Sequence, residues 1–178
     1  MKRISLVLMI LIGNAVAINA AQNYSTGNLL LGIGVGAGTR SVHPIGAPQM
    51  TIHPSVELIL GSWNPGKIGI ALGLTLDSSV NLFGGGLTGT IAPMLTVHYT
   101  LAPRFDFYTS LGMGLQLQPA YGTVGLYNVH VGFATGFNIV LTPAVIFNIG
   151  LAIHAEQFFG SAGIKVRFGD VTKLQYKK

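Results

Sequence analysis

The sequence predicts an all-β fold, a single antiparallel transmembrane up-and-down β-barrel of about eight strands. Three observations carry that prediction. From Leu29 onward, apolar residues alternate with glycine, hydroxyl or charged residues at a period of two. Every charge inside those stretches falls on the glycine and hydroxyl face. The links between stretches alternate between short turns containing proline and longer glycine-rich loops.

The first stretch sets Leu29, Leu31, Ile33, Val35 and Ala37 on one face against Leu30, Gly32, Gly34, Gly36 and Gly38. After a loop over 40–49, Met50, Ile52, Val56, Leu58 and Leu60 oppose Thr51, His53, Ser55 and Glu57. The third stretch, Lys67 to Asp77, has the cleanest alternation, with Ile68, Ile70, Leu72, Leu74 and Leu76 on its apolar face. A helix would scramble these two faces, because its side chains repeat every 3.6 residues rather than every two.

The fourth stretch, about Thr88 to Leu101, turns out Leu95, Val97, Tyr99 and Leu101, and the fifth, Phe105 to Gln118, turns out Phe107, Leu111, Met113, Leu115 and Leu117. The sixth, Asn128 to Leu141, shows Val129, Val131, Phe133, Phe137 and Ile139. The seventh, Val145 to Glu156, shows Val145, Phe147, Ile149, Leu151 and Ile153, and the eighth is Ser161 to Phe168.

Gly61 to Gly66, Ala102 to Arg104 and Thr142-Pro143 are short links, each with a proline (Pro65, Pro103, Pro143), a residue that suits turns because its φ is fixed and it lacks a donor. They are assigned to the periplasmic rim. The glycine-rich links at 40–49, about 79–87, about 119–127 and about 157–160 are assigned to the exterior. Pro54 and Pro93 mark bulges or ends of pairing, expected near the exterior rim.

The charges at Glu57, Lys67, Asp77, Asp106, Glu156, Lys165 and Arg167 all share the parity of the glycine face. A soluble barrel would bury its apolar face and turn charges outward. A charge facing the middle of a bilayer costs roughly 2 to 4 kcal/mol for Arg or Lys, so this parity fits an apolar face against lipid. Trp63, Tyr99, Phe105, Phe107 and Phe168 are expected to gather at the periplasmic rim, and Phe83, Tyr121, Tyr127 and Phe159 at the other.

Composition agrees. A chain of 178 residues suits one domain. Charged residues are 8% of it, against about 25% in soluble domains. A bundle of membrane helices would need apolar runs of about 18 or more residues, and none follows the N-terminus. The N-terminus itself, Met1-Lys2-Arg3, an apolar run from Ile4 to Ile12, then small residues, has the order of a signal peptide over 1–21, cleaved after Ala17, Ala20 or Ala21. The barrel then spans 22–168 and a short periplasmic tail 169–178. Without cysteine there is neither a disulfide nor a thiol for a lipid anchor. Removing Lys2 and Arg3 takes the formal charge from +5 to +3, too mild to suggest nucleic acid.

Ser161-Ala162-Gly163-Ile164-Lys165-Val166-Arg167-Phe168 resembles the C-terminal assembly signal of outer-membrane barrels, with Ser161, Gly163, Val166 and Phe168 at its specified positions. The resemblance implies recognition by the barrel-assembly machinery. It departs from the usual pattern in that residues 169–178 follow the aromatic residue. Across Leu29 to Phe168 the chain resembles the small eight-stranded outer-membrane β-barrel proteins, the group of the OmpA membrane domain, OmpX and OmpW. That resemblance implies a place in the outer membrane, in contact with its lipid.

By parity, the polar residues lining the lumen are His53, Glu57, Lys67, Asp77, His98, Asp106, His130, His154, Glu156, Lys165 and Arg167. Strand direction gathers His53, Asp77, His130, His154 and Glu156 toward the exterior end. A metal site would need three or four of these on one ion, which parity does not establish, so no metal or cofactor is assigned. The plainer expectation is that carboxylates and cations in the lumen pair with one another. Gly32, Gly34, Gly36 and Gly38 fall at period two with no helix after them, so they read as space in the lumen rather than a phosphate loop. No nucleophile, base and orienting acid stand out, and no enzyme is expected. The function expected is that of an integral outer-membrane barrel with a structural or surface role and a narrow polar lumen. The alternative is a transporter or channel for small solutes, apolar ones included.

Overall fold

The computed structural model describes residues 23–40, 49–65, 68–81, 89–120, 123–154 and 157–169. The expected leader, the tail beyond Gly169, Lys67, Glu156 and the links over 41–48 and 82–88 lie outside the described residues. Among the described residues there are eight strands: β1 Leu29–Arg40, β2 Gln49–Trp63, β3 Gly69–Asn81, β4 Gly89–Ala102, β5 Phe105–Ala120, β6 Thr123–Val140, β7 Val145–His154 and β8 Gln157–Phe168. Each pairs antiparallel with its sequence neighbours, and β8 returns to β1 from Leu29↔Phe168 to Arg40↔Gln157, which closes the barrel.

The two faces are those that the alternation predicts. Outward side chains such as Ile33, Leu111 and Val131 are 62%, 60% and 69% exposed, while inward Leu30, Glu57 and Asp106 are at 1% or less. No charged side chain points outward among the described strand residues.

Bulges adjust this parity locally. On β2 the register passes from Ile59↔Gly73 to Gly61↔Leu72, so Leu60 is an extra residue. It keeps Ile59 inside and turns Trp63 outward at the end of β2. A second bulge at Leu101 precedes the turn at Pro103-Arg104. At that rim Phe137 joins the expected aromatic residues, its ring 5.1 Å from Phe105 and 5.4 Å from Phe107.

Two expectations need correction. The links at 119–127 and 157–160 are largely strand: Gln118↔Gly125, Pro119↔Val124 and Ala120↔Thr123 extend the β5–β6 hairpin, and Phe158, Phe159 and Gly160 pair with β1. Glycine signals turns locally, but a bulge opposite Leu117 keeps the ladder in register past it, so β5 runs to Ala120 and β6 begins at Thr123, as β8 begins at Gln157. Phe159 is not in a rim girdle: counting back from outward Phe168, its parity is inward, and it is 2% exposed. Pro54 and Pro93 lie within their strands, opposite Ile33 and Leu76, and mark the expected ends of pairing. Each interrupts the pairing on its other side, β2–β3 between Ile52↔Val80 and Ser55↔Asp77, and β4–β5 between Ile91↔Leu115 and Met94↔Gly112. Proline cannot donate to the ladder. At the first gap, the Ser78 hydroxyl donates to the Pro54 carbonyl at 2.8 Å.

The close fit of the wall shows at Gly112, where an added Cβ would run into the Pro93 carbonyl oxygen and lie 2.7 Å from Met94 Cα. An outward glycine such as Gly160 has only Leu151 Cδ2, at 3.7 Å, near the same position. Gly112→Ala is therefore expected to lower the yield of heat-resistant folded barrel severely, with Gly160→Ala close to wild type, as read by gel mobility of unheated samples. Leu111→Arg, at the middle of the apolar belt, should destabilise the barrel by about 2 to 4 kcal/mol in denaturant titrations in lipid vesicles. Unchanged stability would mean that this face meets water.

Candidate functional site: a buried charge cluster in the lumen

The barrel turns its inward residues toward one axis, and the register decides which of them meet. Thr100 of β4 lies opposite Asp106 of β5, and Glu57 of β2 lies opposite Thr75 of β3. Across this interior His98 bridges two carboxylates, with Nε2 2.6 Å from Glu57 Oε1 and Nδ1 2.8 Å from Asp106 Oδ2. When both carboxyls are ionised their oxygens only accept, so both ring nitrogens donate and the ring is an imidazolium. Lys165 Nζ donates to the other Glu57 oxygen at 3.2 Å.

Asp106 is the most heavily engaged acceptor. Its Oδ2 accepts from His98, from Asn138 Nδ2 at 2.9 Å and from the Tyr24 hydroxyl at 3.1 Å. Asn138 is fixed in turn by Asn148 Nδ2, which donates to its Oδ1 at 2.8 Å. Tyr24 precedes β1 and is 1% exposed. Burial, and next the Asp106 charge, hold its phenol well above the ordinary value near 10, so it remains an O–H donor.

Among the described side chains, charge is balanced inside. Lys165, His98 and Arg167 are matched by Glu57, Asp106 and the half-buried Asp77. Such balance is needed, since an uncompensated buried charge costs several kcal/mol or shifts its protonation, by order of magnitude. The Lys165 ammonium also lies 5.1 Å from the centre of the Tyr108 ring. Beside the cluster a hydroxyl chain crosses three strands, Thr75 to Thr96 at 2.6 Å and Thr96 to Ser110 at 2.8 Å. The cavity between these groups, bordered by Ser55, Asp77, Tyr108 and Lys165, measures about 50 Å³, room for a few water molecules.

Of the sequence-predicted lumen residues, Glu57, His98, Asp106 and Lys165 form one connected cluster, and Arg167 adjoins it through Tyr24, its guanidinium 5.3 Å from the ring centre. His53 and Asp77 border the cavity. His53 Nε2 is 2.6 Å from Thr51 Oγ1 and the ring meets Phe159 edge-on at 5.2 Å, while Asp77 Oδ1 accepts the Ser78 N–H. His130 is half-buried on β6 opposite Gly114, apart from the cluster. The side chain of His154, like Lys67 and Glu156, lies outside the described residues. Among the described residues, no three such side chains are arranged to hold a metal ion. Ser161 and Gly163 face inward on β8, and Val166 and Phe168 face outward at its C-terminal end.

Sequence reasoning missed Tyr24, Asn138, Asn148 and Tyr108. The parity of the last three was visible, but parity marks half of every strand and carries no charge signal for an amide or a phenol. Tyr24 lies before the alternation begins, so nothing in the pattern drew attention to it.

Removing one partner of a buried pair commonly costs about 3 to 5 kcal/mol. Glu57→Ala should fall in that range by unfolding in lipid, and Glu57→Ala combined with Lys165→Ala should cost less than the sum of the two single changes. Additive costs would show that the contact between them carries no coupling.

No family model and no curated protein matches this chain. Solved structures do. The N-terminal β-barrel domain of Pseudomonas aeruginosa OprF superposes with a TM-score of 0.60 at 10% identity, over 82% of this chain and 100% of that one. Ail, the attachment invasion locus protein of Yersinia pestis, gives 0.54 at 11% identity, over 80% of this chain and 99% of that one. Neisserial surface protein A gives 0.52 at 14% identity, over 79% and 96%. At such identities the likeness is one of fold: this chain has the closed, all-antiparallel eight-stranded barrel of the small outer-membrane proteins.

Proposed function

We propose that the chain is an integral outer-membrane β-barrel with a structural or surface role and a narrow polar lumen filled by its own side chains. The observation that carries this reading is the inverted distribution of polarity. A belt of exposed Leu, Ile, Val and Phe encircles the barrel, while the described charges of the strands lie within it. Soluble proteins rarely expose apolar patches beyond a few hundred Å², by order of magnitude, and lipid is the medium that covers such a belt. The leader-like N-terminus supports export, and the pattern ending at Phe168 supports insertion by the barrel-assembly machinery, with the tail left in the periplasm. Eight strands enclose about enough space for packed side chains, and the paired cluster fills that space here.

A specific observation favours the alternative, a transporter of small apolar solutes. At the interruptions by Pro54 and Pro93 the wall carries a groove of about 490 Å³, bordered by Val56, Leu76 and Ile91 together with the hydroxyls of Ser55, Ser78 and Thr90. It pairs an apolar lining with hydroxyls from both faces of the sheet, as passage between lipid and lumen would require.

The deciding experiment uses the protein exported with its own leader, extracted and reconstituted into planar bilayers, with a heat-sensitive gel shift as proof of a closed barrel. No ion steps between pH 5 and 8, the range in which histidine titrates, are expected of a filled lumen. Reproducible steps would reject it and identify a pore, and solute uptake by a barrel without conductance would favour the transporter.

A further inference from the structure

We propose that residues 23–28 are a tethered plug that seals the periplasmic mouth of the lumen, and that the site holding the Tyr24 ring is a binding site for a phenol. The segment is not a frayed end. Asn23, Tyr24 and Asn28 are each 2% exposed or less. Its backbone is fixed to the wall: Gly27 N–H donates to the Ile59 carbonyl at 2.8 Å, and Ile59 N–H donates to the Asn28 carbonyl at 2.9 Å. The turn between them is closed by Asn28 N–H to the Ser25 carbonyl and by Ser25 N–H to Asn28 Oδ1. Gly27 has φ +87°, a conformation open to glycine, so this turn is encoded locally.

From that anchor the chain reaches inward. Arg167 Nη1 donates to the Asn23 carbonyl at 2.7 Å, and Asn23 itself sits against Thr100 and Ala102. The Tyr24 ring lies between two cations, 4.4 Å from the His98 ring centre and 5.3 Å from the Arg167 guanidinium. Its hydroxyl donates to Asp106 and accepts from Asn138 Nδ2 at 3.0 Å. Aromatic face toward cations and hydroxyl toward a carboxylate and an amide are the contacts that select a phenol over a plain benzene ring. These contacts come from β4, β5, β6 and β8, whereas the anchor holds β1 and β2. The segment can therefore leave the mouth by opening its own turn while the barrel stays closed, exposing the charge cluster to the periplasm. This inference rests on the membrane-barrel reading for its orientation.

The absence of cysteine makes a single-thiol test clean. Thr100→Cys places a thiol beneath the segment, and the gel shift reports separately whether the barrel has formed. In the folded, exported protein this thiol should react with a charged, water-soluble thiol reagent at least tenfold more slowly than when combined with Tyr24→Ala. Added p-cresol should restore the slow rate in the Tyr24→Ala background, and toluene should not. Equal rates with and without Tyr24 would overturn the plug, and failure of p-cresol to protect would overturn the phenol site. Should Tyr24→Ala give no folded barrel, hydrogen exchange of the unsubstituted protein decides. Protection of the Gly27 and Asn28 amides comparable to that of strand amides is expected, and exchange at the rate of a free chain would overturn the proposal.

Discussion

The backbone of a strand carries hydrogen-bonding groups along both edges, and an apolar surface offers those groups nothing. A sheet wrapped in hydrocarbon therefore has to satisfy its own edges, which it does by pairing its last strand with its first. The pairing of β8 with β1 over the full length of both strands meets that requirement here. The rest follows from closure. Once the sheet is a cylinder, each residue faces either the belt or the axis, and the period-two pattern becomes a partition between lipid-compatible and polar side chains.

Closure also sets what the inside must contain. The glycines of β1, β5 and β6 keep the wall close where a side chain would collide with backbone, as at Gly112. Elsewhere long side chains reach across the axis. The charges that do so arrive as a matched set, because the interior offers little water to screen them. His98, held between Glu57 and Asp106, lets two carboxylates occupy one small region, and Lys165 engages the remaining Glu57 oxygen. The cluster ties β2, β4, β5 and β8 together across the axis, in addition to the hydrogen bonds around the wall.

The two interior prolines show how local chemistry modifies this regular design. Each leaves one neighbour unpaired for a short stretch, and the groove in the wall lies at these gaps. At the end with the short turns, an irregular segment turns back and lays an aromatic ring over the charge cluster.

How much of this was legible beforehand depends on the range of the interaction. Alternation from Leu29 to Phe168 determined the strands, their faces and the inward parity of Glu57, His98, Asp106 and Lys165, because period two is a property of neighbouring residues and lipid leaves a charge only one face to occupy. Strand ends at Ala120 and Gln157 were not legible because glycine signals turns locally, while a bulge and the partner strand decide whether the ladder continues. Only the tertiary structure decided which inward residues meet. Glu57 and Lys165 are separated by 108 positions, and Tyr24 and Asp106 by 82. Their contact depends on barrel register and on the segment before β1 folding back into the mouth, distances across space that no periodicity along the chain records.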